Sequence, residues 1–239
     1  ILEADLDAYD LSSLDEIDTG TSATPIELVR SLKQHFPTAS IRIFYGSTET
    51  GSATVLAGSD VLDRHGSVGR AAPGGEIRIA DDGEVCVRSP YLMDEYLGAP
   101  ESTATALRDG FFYTGDLGAF DADGFLSIVG RKKEIIRTGG ESVSPGEVED
   151  VLVNLPGIDE VAVVGLPDAD WGEIVCAVLV PAEDSAPSLA DLQKHCDGRL
   201  AGYKHPRRVE VRERLPRTPA TGQVQRALLV QEIMSAPSN

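Results

Sequence analysis

Cysteine is scarce in this chain. Its 239 residues hold three, Cys86, Cys176 and Cys196, an odd number at wide spacing that excludes a disulfide framework or a zinc cage and fits reduced thiols in a cytoplasmic protein. Cys86 in Glu-Val-Cys-Val-Arg and Cys176 in Ile-Val-Cys-Ala-Val lie in strand-like runs, where a thiol packs as a small hydrophobe. Basic residues are also few. There are 21 against 39 acidic, for a formal net charge of −18, which excludes a protein that coats nucleic acid or anionic lipid through a general positive field. No run approaches the roughly 18 apolar residues of a spanning helix, and no charged-then-apolar leader opens the chain, so a soluble protein is expected. Repeats and low-complexity tracts are lacking, and His35, His65, His195 and His205 stand in no triad or metal spacing. An initiating Met is lacking too; the chain reads as excised from a longer one.

What is present is ordinary globular material. A chain this long folds on burial alone, and 41% hydrophobic residues with 24 Gly and 14 Pro point to short elements separated by many turns. After an acidic lead-in, Pro25 opens an amphipathic helix over 26–36. A buried strand over 41–45 runs into Gly46-Ser47-Thr48-Glu49-Thr50-Gly51, a glycine-bounded turn dense in hydroxyls. The strands 76–79 and 84–88 flank Asp82-Gly83, a hairpin signal, and a further strand spans 125–129. At Gly130-Arg131-Lys132-Lys133-Glu134 a basic cluster interrupts the acidic chain, and a domain boundary is expected there, giving 1–132 and 133–239. The second part alternates: a helix over 145–154 with Ser144 as N-cap and Pro145 at its first position, strands over 161–164 and 174–180, a helix from Ser188 to Leu200, a strand over 208–211 and a last helix over 227–234. About a hundred residues of mixed helix and strand make a compact α+β domain of their own.

Taken singly, the polar turns stay ambiguous. Gly46–Gly51 reads as a structural turn or as an anion-binding loop in which Thr48 donates to a phosphate and Glu49 takes a magnesium ion. Thr114-Gly115-Asp116 reads as a hairpin end or as a carboxylate that accepts hydrogen bonds from a ribose diol. Trp171 reads as a loop anchor and Lys204 as a solvated lysine.

Taken in order, these motifs carry a resemblance. Tyr45-Gly46-Ser47-Thr48-Glu49, Tyr113-Thr114-Gly115-Asp116-Leu117, Gly130-Arg131-Lys132-Lys133-Glu134-Ile135-Ile136 and Gly139-Gly140 followed by Pro145-x-Glu147-Val148-Glu149 match the C-terminal portion of the AMP-forming adenylating superfamily. That superfamily includes acyl-CoA synthetases, nonribosomal adenylation domains and luciferase-like enzymes. The similarity runs from near Leu11 almost to the end. It implies an α/β and α+β fold class: the distal part of the large N-terminal domain, a strand–helix portion plus a small β region, followed by a complete small α+β C-terminal domain. The implied chemistry is an acyl-CoA synthetase, a fatty-acid or aryl-acid CoA ligase, that forms acyl-AMP from ATP and a small-molecule carboxylate and then a CoA thioester. The implied cofactors are ATP/AMP, Mg2+ and coenzyme A. Carried residue by residue, Tyr45 lies against adenine with Gly46 allowing close approach and Ser47 in the same nucleotide loop. Thr48 touches the α-phosphate, Glu49 the magnesium, Asp116 the ribose hydroxyls, and Arg131 the ribose from the hinge side. Lys133 falls at the hinge, and Gly139 and Gly140 leave room for the pantetheine arm.

Two departures qualify the resemblance. The family's glycine-rich phosphate loop ending in Pro-Lys is absent; the nearest stretch, Asp18–Pro25, sits where the family has its adenine-side loop and has no lysine. The chain is therefore expected to be a fragment that does not adenylate alone. In Leu215-Pro216-Arg217-Thr218-Pro219-Ala220-Thr221-Gly222 the family's following lysine is Gln223, a catalytic position left without charge; Arg217 and Arg226 are the nearest substitutes. Two alternatives remain: an enzyme that loads a carrier-protein thiol, and a catalytically silent nucleotide-binding or interaction relative. Neither chain length of the acid nor oligomeric state is legible.

Overall fold

The computed structural model describes residues 5–20, 24–182, 186–219 and 222–235, in two units that meet in sequence between Ile128 and Val129. Thr21, Ser22 and Ala23 of the 18–25 stretch, Ala220 and Thr221 of the Leu215–Gly222 motif, and the last four residues lie outside the described residues.

Unit one begins with a β–α–β step. β1 (Glu16–Thr19), α1 (Ile26–His35) and β2 (Ser40–Ser47) follow in order, and β1 pairs with β2 in parallel, Ile17 opposite Ile41. α1 places Val29 and Leu32 on one face, where they meet Phe36, Ile41, Ile43 and Leu56 in a buried cluster. That helical spacing of apolar residues predicted the element and its buried face. β3 (Gly51–Leu56), α2 (Asp60–Asp63), β4 (Ser67–Ala71), β5 (Glu76–Ile79), β6 (Glu84–Arg88), α3 (Pro100–Ala106), β7 (Leu107–Arg108), β8 (Phe111–Phe120) and β9 (Leu126–Arg131) complete the order. The strands lie in one sheet, β1-β2-β3-β4-β9-β8-β6-β5, with β7 beside β8. Apart from the β1–β2 step its paired registers are antiparallel hairpins and meanders. Gly83 turns the β5–β6 hairpin at φ 85°, as the Asp-Gly pair predicts.

β9 leads the chain into unit two. Here β10 (Ile136–Thr138), β11 (Glu141–Val143), α4 (Pro145–Leu152), β12 (Ile158–Asp168), β13 (Gly172–Pro181), α5 (Leu189–Cys196), β14 (Arg208–Val211) and α6 (Arg226–Ser235) follow, with the sheet order β11-β10-β13-β12 and β14 parallel to β13. β13 is buried on both faces. Val175, Ala177 and Leu179 pack with Val148, Leu152 and Leu192 of α4 and α5, while Cys176, Val178 and Val180 pack with Leu229 and Ile233 of α6. A strand covered on both sides reads as an unbroken apolar run, which is why 174–180 shows no alternation.

Several local expectations shift. The helix expected over 188–200 ends at Cys196; Gly198, at φ 71°, breaks it. Its Ser188 cap forms the reciprocal capping box with Asp191, and that bond holds the Asp191 carboxyl below its ordinary range. Ser144 stands at the N-cap of α4, but its hydroxyl makes no cap bond; it donates instead to the Val129 carbonyl at 2.5 Å. Among the described residues no helix is long and apolar enough to cross a membrane.

All three cysteines are free and buried, and burial pushes each thiol above its ordinary range, Cys176 to about 12. Since the thiolate is the nucleophile, the native protein is expected to be inert toward a chromogenic thiol reagent at pH 8 and to titrate fully once guanidinium unfolds it. A fast-reacting thiol in the native state contradicts this burial.

Candidate functional site

β2 reaches further than its sequence suggests. It continues through Gly46 to Ser47 and pairs with β3 as a hairpin, Ser47 opposite Gly51, so the turn is three residues, Thr48, Glu49 and Thr50. A glycine is required at position 46, where a Cβ would lie 2.0 Å from the Gly51 carbonyl oxygen. The expected close approach of a ligand at Gly46 thus has a prior, internal cause. Thr50, buried at 1% exposure, ties the turn together: its hydroxyl accepts from the Ser47 amide at 3.0 Å and donates to the Gly51 carbonyl at 3.0 Å. The Ser47 hydroxyl accepts from the Glu49 amide at 3.2 Å. Thr48 is exposed at the tip.

The second contributor is a bulge. Glu84 lies opposite Leu117 and Cys86 opposite Tyr113, so β8 places four residue steps against two of β6, and the excess leaves the pleat as Thr114-Gly115-Asp116. Gly115 supplies φ 75°. The buried Glu84 carboxylate accepts from the Gly115 amide at 2.9 Å, and the Thr114 hydroxyl donates to the Val85 carbonyl at 2.8 Å while accepting from the Asp116 amide at 3.1 Å. Asp116 is thereby held, 8% exposed. Tyr45 Oη donates to Asp116 Oδ2 at 2.8 Å. This bond joins the hairpin strand to the bulge across 71 residues of sequence.

Glu49 has partners that sequence reasoning missed. Tyr96 Oη donates to its Oε1 at 2.9 Å, and the Met93 amide donates to its carbonyl at 2.8 Å. Burial pushes the Glu49 carboxyl up, but the hydrogen bonds from Ser47, Tyr96 and its own amide outweigh that and hold it below the usual glutamate range. Glu84 and Tyr96 carried no motif of their own; only the pairing of distant segments reveals them. Among the described residues no three or more His, Cys, Asp or Glu side chains gather into a metal cage.

The remaining expected residues belong to unit two. Arg131 ends β9, and Lys133 sits in a single 3-10 turn, Lys132–Glu134, where it is exposed. Gly139 and Gly140 form the β10–β11 turn at φ 59° and 87°. Gly140 faces open space, but a Cβ on Gly139 would stand 2.8 Å from the Trp171 ring. The Trp171 ring packs where a Gly139 side chain would stand, so the absence of a side chain there has an internal cause as well. Trp171 is a loop anchor in the literal sense: its carbonyl accepts from the Gly139 amide at 2.9 Å, and the Arg207 guanidinium lies 3.8 Å over its ring. Lys204 is not a solvated lysine, since Glu147 accepts from it at 2.6 Å.

Gln223 is exposed on the loop before α6, and its carbonyl accepts from the Thr218 amide at 2.9 Å. The two arginines considered as substitutes for the absent lysine are engaged elsewhere. Arg217 pairs with Glu160, and Arg226 donates to Glu134 at 3.0 Å and to both oxygens of Glu149 at 2.8 Å.

Since Gly139 and Gly140 share a left-handed backbone and differ in what a methyl would meet, Gly139→Ala is expected to cost about 1–3 kcal/mol more than Gly140→Ala by denaturant unfolding. Equal costs contradict the packing of Trp171.

The pattern of the AMP-binding enzyme family matches residues 1–97, and that of the AMP-binding enzyme C-terminal domain matches residues 147–221. An indoleacetate–CoA ligase of Aromatoleum aromaticum is 42% identical over 229 residues, covering 91% of this chain and 44% of the relative. A long-chain-fatty-acid–CoA ligase of Mycobacterium tuberculosis is 41% identical over 198 residues, covering 79% and 39%. Among solved structures, an o-succinylbenzoate CoA synthetase of Bacillus subtilis in complex with its acyl-adenylate intermediate superposes with a TM-score of 0.79 at 32% identity, covering 90% of this chain and 45% of that one. An amide bond synthetase of Marinactinospora thermotolerans gives 0.83 at 34%, covering 96% and 50%. The chain thus spans half or less of the length of each of these relatives. On its ordered motifs, its mixed α/β architecture and these matches, the chain belongs to the AMP-binding enzyme family.

Proposed function

We propose that this chain is the distal part of an AMP-forming acid–thiol ligase, which joins a small-molecule carboxylate to coenzyme A through an acyl-adenylate. One observation carries the reading: the 2.8 Å bond from Tyr45 to Asp116, which couples the hydroxyl-rich hairpin to the carboxylate bulge so that both address one ligand. The named relatives support the class. They are ligases of indoleacetate, long-chain fatty acids and 2-succinylbenzoate, aryl and alkyl acids alike, so the class is acyl-CoA synthetase and the individual acid is left open. We propose a cytoplasmic setting, with which the free, buried thiols of this chain accord.

In this reading a carboxylate attacks the α-phosphorus of ATP, pyrophosphate leaves, and a thiolate then displaces AMP from the acyl carbon. Such chemistry is mostly positioning and charge stabilisation. The ring of Tyr45 lies against adenine beside Gly46 and Ser47, Thr48 at the open tip donates to the α-phosphate, and Asp116 accepts from the ribose hydroxyls. Arg131 is proposed as a further contact to the ribose. The donor set fits magnesium, which takes one or two carboxylates together with phosphate oxygens rather than an all-protein cage; Glu49 is the carboxylate that would hold it. A B. subtilis o-succinylbenzoate synthetase was solved with ATP and a magnesium ion. When bound, the metal supplies positive charge to the phosphate oxygens. Unit two, from the exposed turn at Lys133 onward, is proposed as the small mobile domain, with Lys133 as pivot and the Gly140 corner facing the thiol substrate. Adenylation is expected of these residues only together with a segment that supplies a glycine-rich phosphate loop.

Gln223 favours a second reading, a relative that binds nucleotide without adenylating, and the same thiol chemistry also serves a carrier protein in place of CoA. In the protein at its full natural length, Asp116→Asn is expected to weaken AMP binding by about tenfold or more in calorimetry, since a charged hydrogen bond is lost; unchanged affinity overturns the nucleotide site. Gln223→Lys is expected to raise ATP–pyrophosphate exchange by about 10²- to 10³-fold, and exchange that stays flat favours the silent relative. Preformed acyl-AMP offered CoA or a holo-carrier protein separates the two acceptors.

A further inference from the structure

The segment after β6 touches the Ser47–Gly51 end of the β2–β3 hairpin at three points. The Tyr91 side chain closes over Gly51, where an added Cβ would lie 2.9 Å from the Tyr91 Cβ. The Met93 amide donates to the Glu49 carbonyl at 2.8 Å, and the Tyr96 hydroxyl donates to Glu49 Oε1 at 2.9 Å. Tyr96 is itself fixed: its amide donates to the Thr103 hydroxyl at 2.9 Å, and that hydroxyl donates to the Ala99 carbonyl at 3.0 Å in the first turn of α3. Backbone and carboxylate of Glu49 are thus gripped separately, from one strap, by groups that are anchored in turn.

A glutamate at the tip of a three-residue turn has several rotamers, and ordering it on a cation opposes binding. A neutral hydroxyl removes that freedom without cancelling the negative charge, whereas a lysine or arginine at the same place would compete with a cation for the carboxylate. A partner that orients a ligating carboxylate in this way acts as metal second shells do elsewhere. We infer that Tyr96 is a positioning residue that holds the Glu49 carboxylate in readiness for the divalent cation of a bound nucleotide. The inference rests on the reading of Glu49 as the metal carboxylate given above.

The test is a Mn2+ titration, read by electron paramagnetic resonance, of the full-length protein saturated with the non-reacting analogue α,β-methylene-ATP. It is run on wild type, Tyr96→Phe, Glu49→Gln and the double variant. Tyr96→Phe is expected to weaken Mn2+ by about tenfold, Glu49→Gln by at least as much, and the double variant by no more than Glu49→Gln alone, because Tyr96 acts through Glu49. A purely structural tyrosine would not show that non-additivity. Should Tyr96→Phe lower the melting temperature by more than a few degrees, Thr103→Val, which releases the Tyr96 amide and leaves its hydroxyl, takes its place with the same expectation. Loss of affinity in Glu49→Gln without loss in the Tyr96 or Thr103 variant overturns the positioning role alone. Unchanged affinity in Glu49→Gln overturns the metal reading beneath it.

Discussion

Between Tyr113 and Leu117 the strand β8 has two residues more than its partner β6 has room for, and the site depends on where that excess goes. A bulge with free ends would fray into solvent. This one is pinned from below by a buried carboxylate, Glu84, on the Gly115 amide and by the Thr114 hydroxyl on both the Val85 carbonyl and the Asp116 amide. A buried carboxylate is costly unless hydrogen-bonded, so Glu84 and the bulge stabilise one another: the amide satisfies the acid, and the acid selects the left-handed glycine. Asp116 is the product of that arrangement. Its bond from Tyr45 then fixes the hairpin strand β2 relative to β8, two strands that are not neighbours in the sheet.

Unit two is organised by charge where unit one is organised by hydroxyls. Arg226, at the start of α6, donates to Glu134 in the 3-10 turn and to Glu149 of α4, and Glu149 also accepts from the Val163 amide at 2.7 Å. One guanidinium therefore ties the C-terminal helix to the segment just after Lys133. Because Arg presents a planar fork that meets a carboxylate with two donors at once, the segment following the exposed lysine is held to α4 and α6 by directional bonds.

Much of this was legible in the sequence, for reasons that differ by element. α1 and the β5–β6 hairpin follow from apolar periodicity and an Asp-Gly turn, and both are local signals. The buried run of β13 was readable as a strand, but its two-faced burial was not, since that depends on α4, α5 and α6 arriving from elsewhere. The polar motifs at Tyr45–Glu49 and Thr114–Asp116 were visible as residue types in order. The bond that joins Tyr45 to Asp116 was not, because nothing local in either segment encodes a partner 71 residues away. Gly139 shows the same limit: a glycine pair in a turn is visible in the sequence, and only the placement of Trp171 shows what a side chain at Gly139 would meet. Lys204 failed similarly, its solvation replaced by Glu147 from a helix 57 residues earlier.

In the proposed reading, whether a neighbouring cation stands in for the family's lysine at position 223 depends on what Arg217 and Arg226 already hold. A cation elsewhere can replace a lost one only if its own charge is uncompensated and its side chain is free to move. Arg217 lies against Glu160 and also donates to the Gly222 carbonyl at 2.8 Å, so moving it would unmake the loop that presents Gln223. Arg226 serves two carboxylates, and withdrawing it would leave Glu134 and Glu149 partly buried without their cation, a penalty of several kcal/mol by the usual cost of orphaned ion pairs. Both arginines are thus structural in effect, and the loop before α6 carries the uncharged Gln223. The electrostatic deficit is local to that loop. In the proposed reading the hairpin and bulge of unit one recognise the nucleotide, and the loss of charge at position 223 bears on adenylation instead.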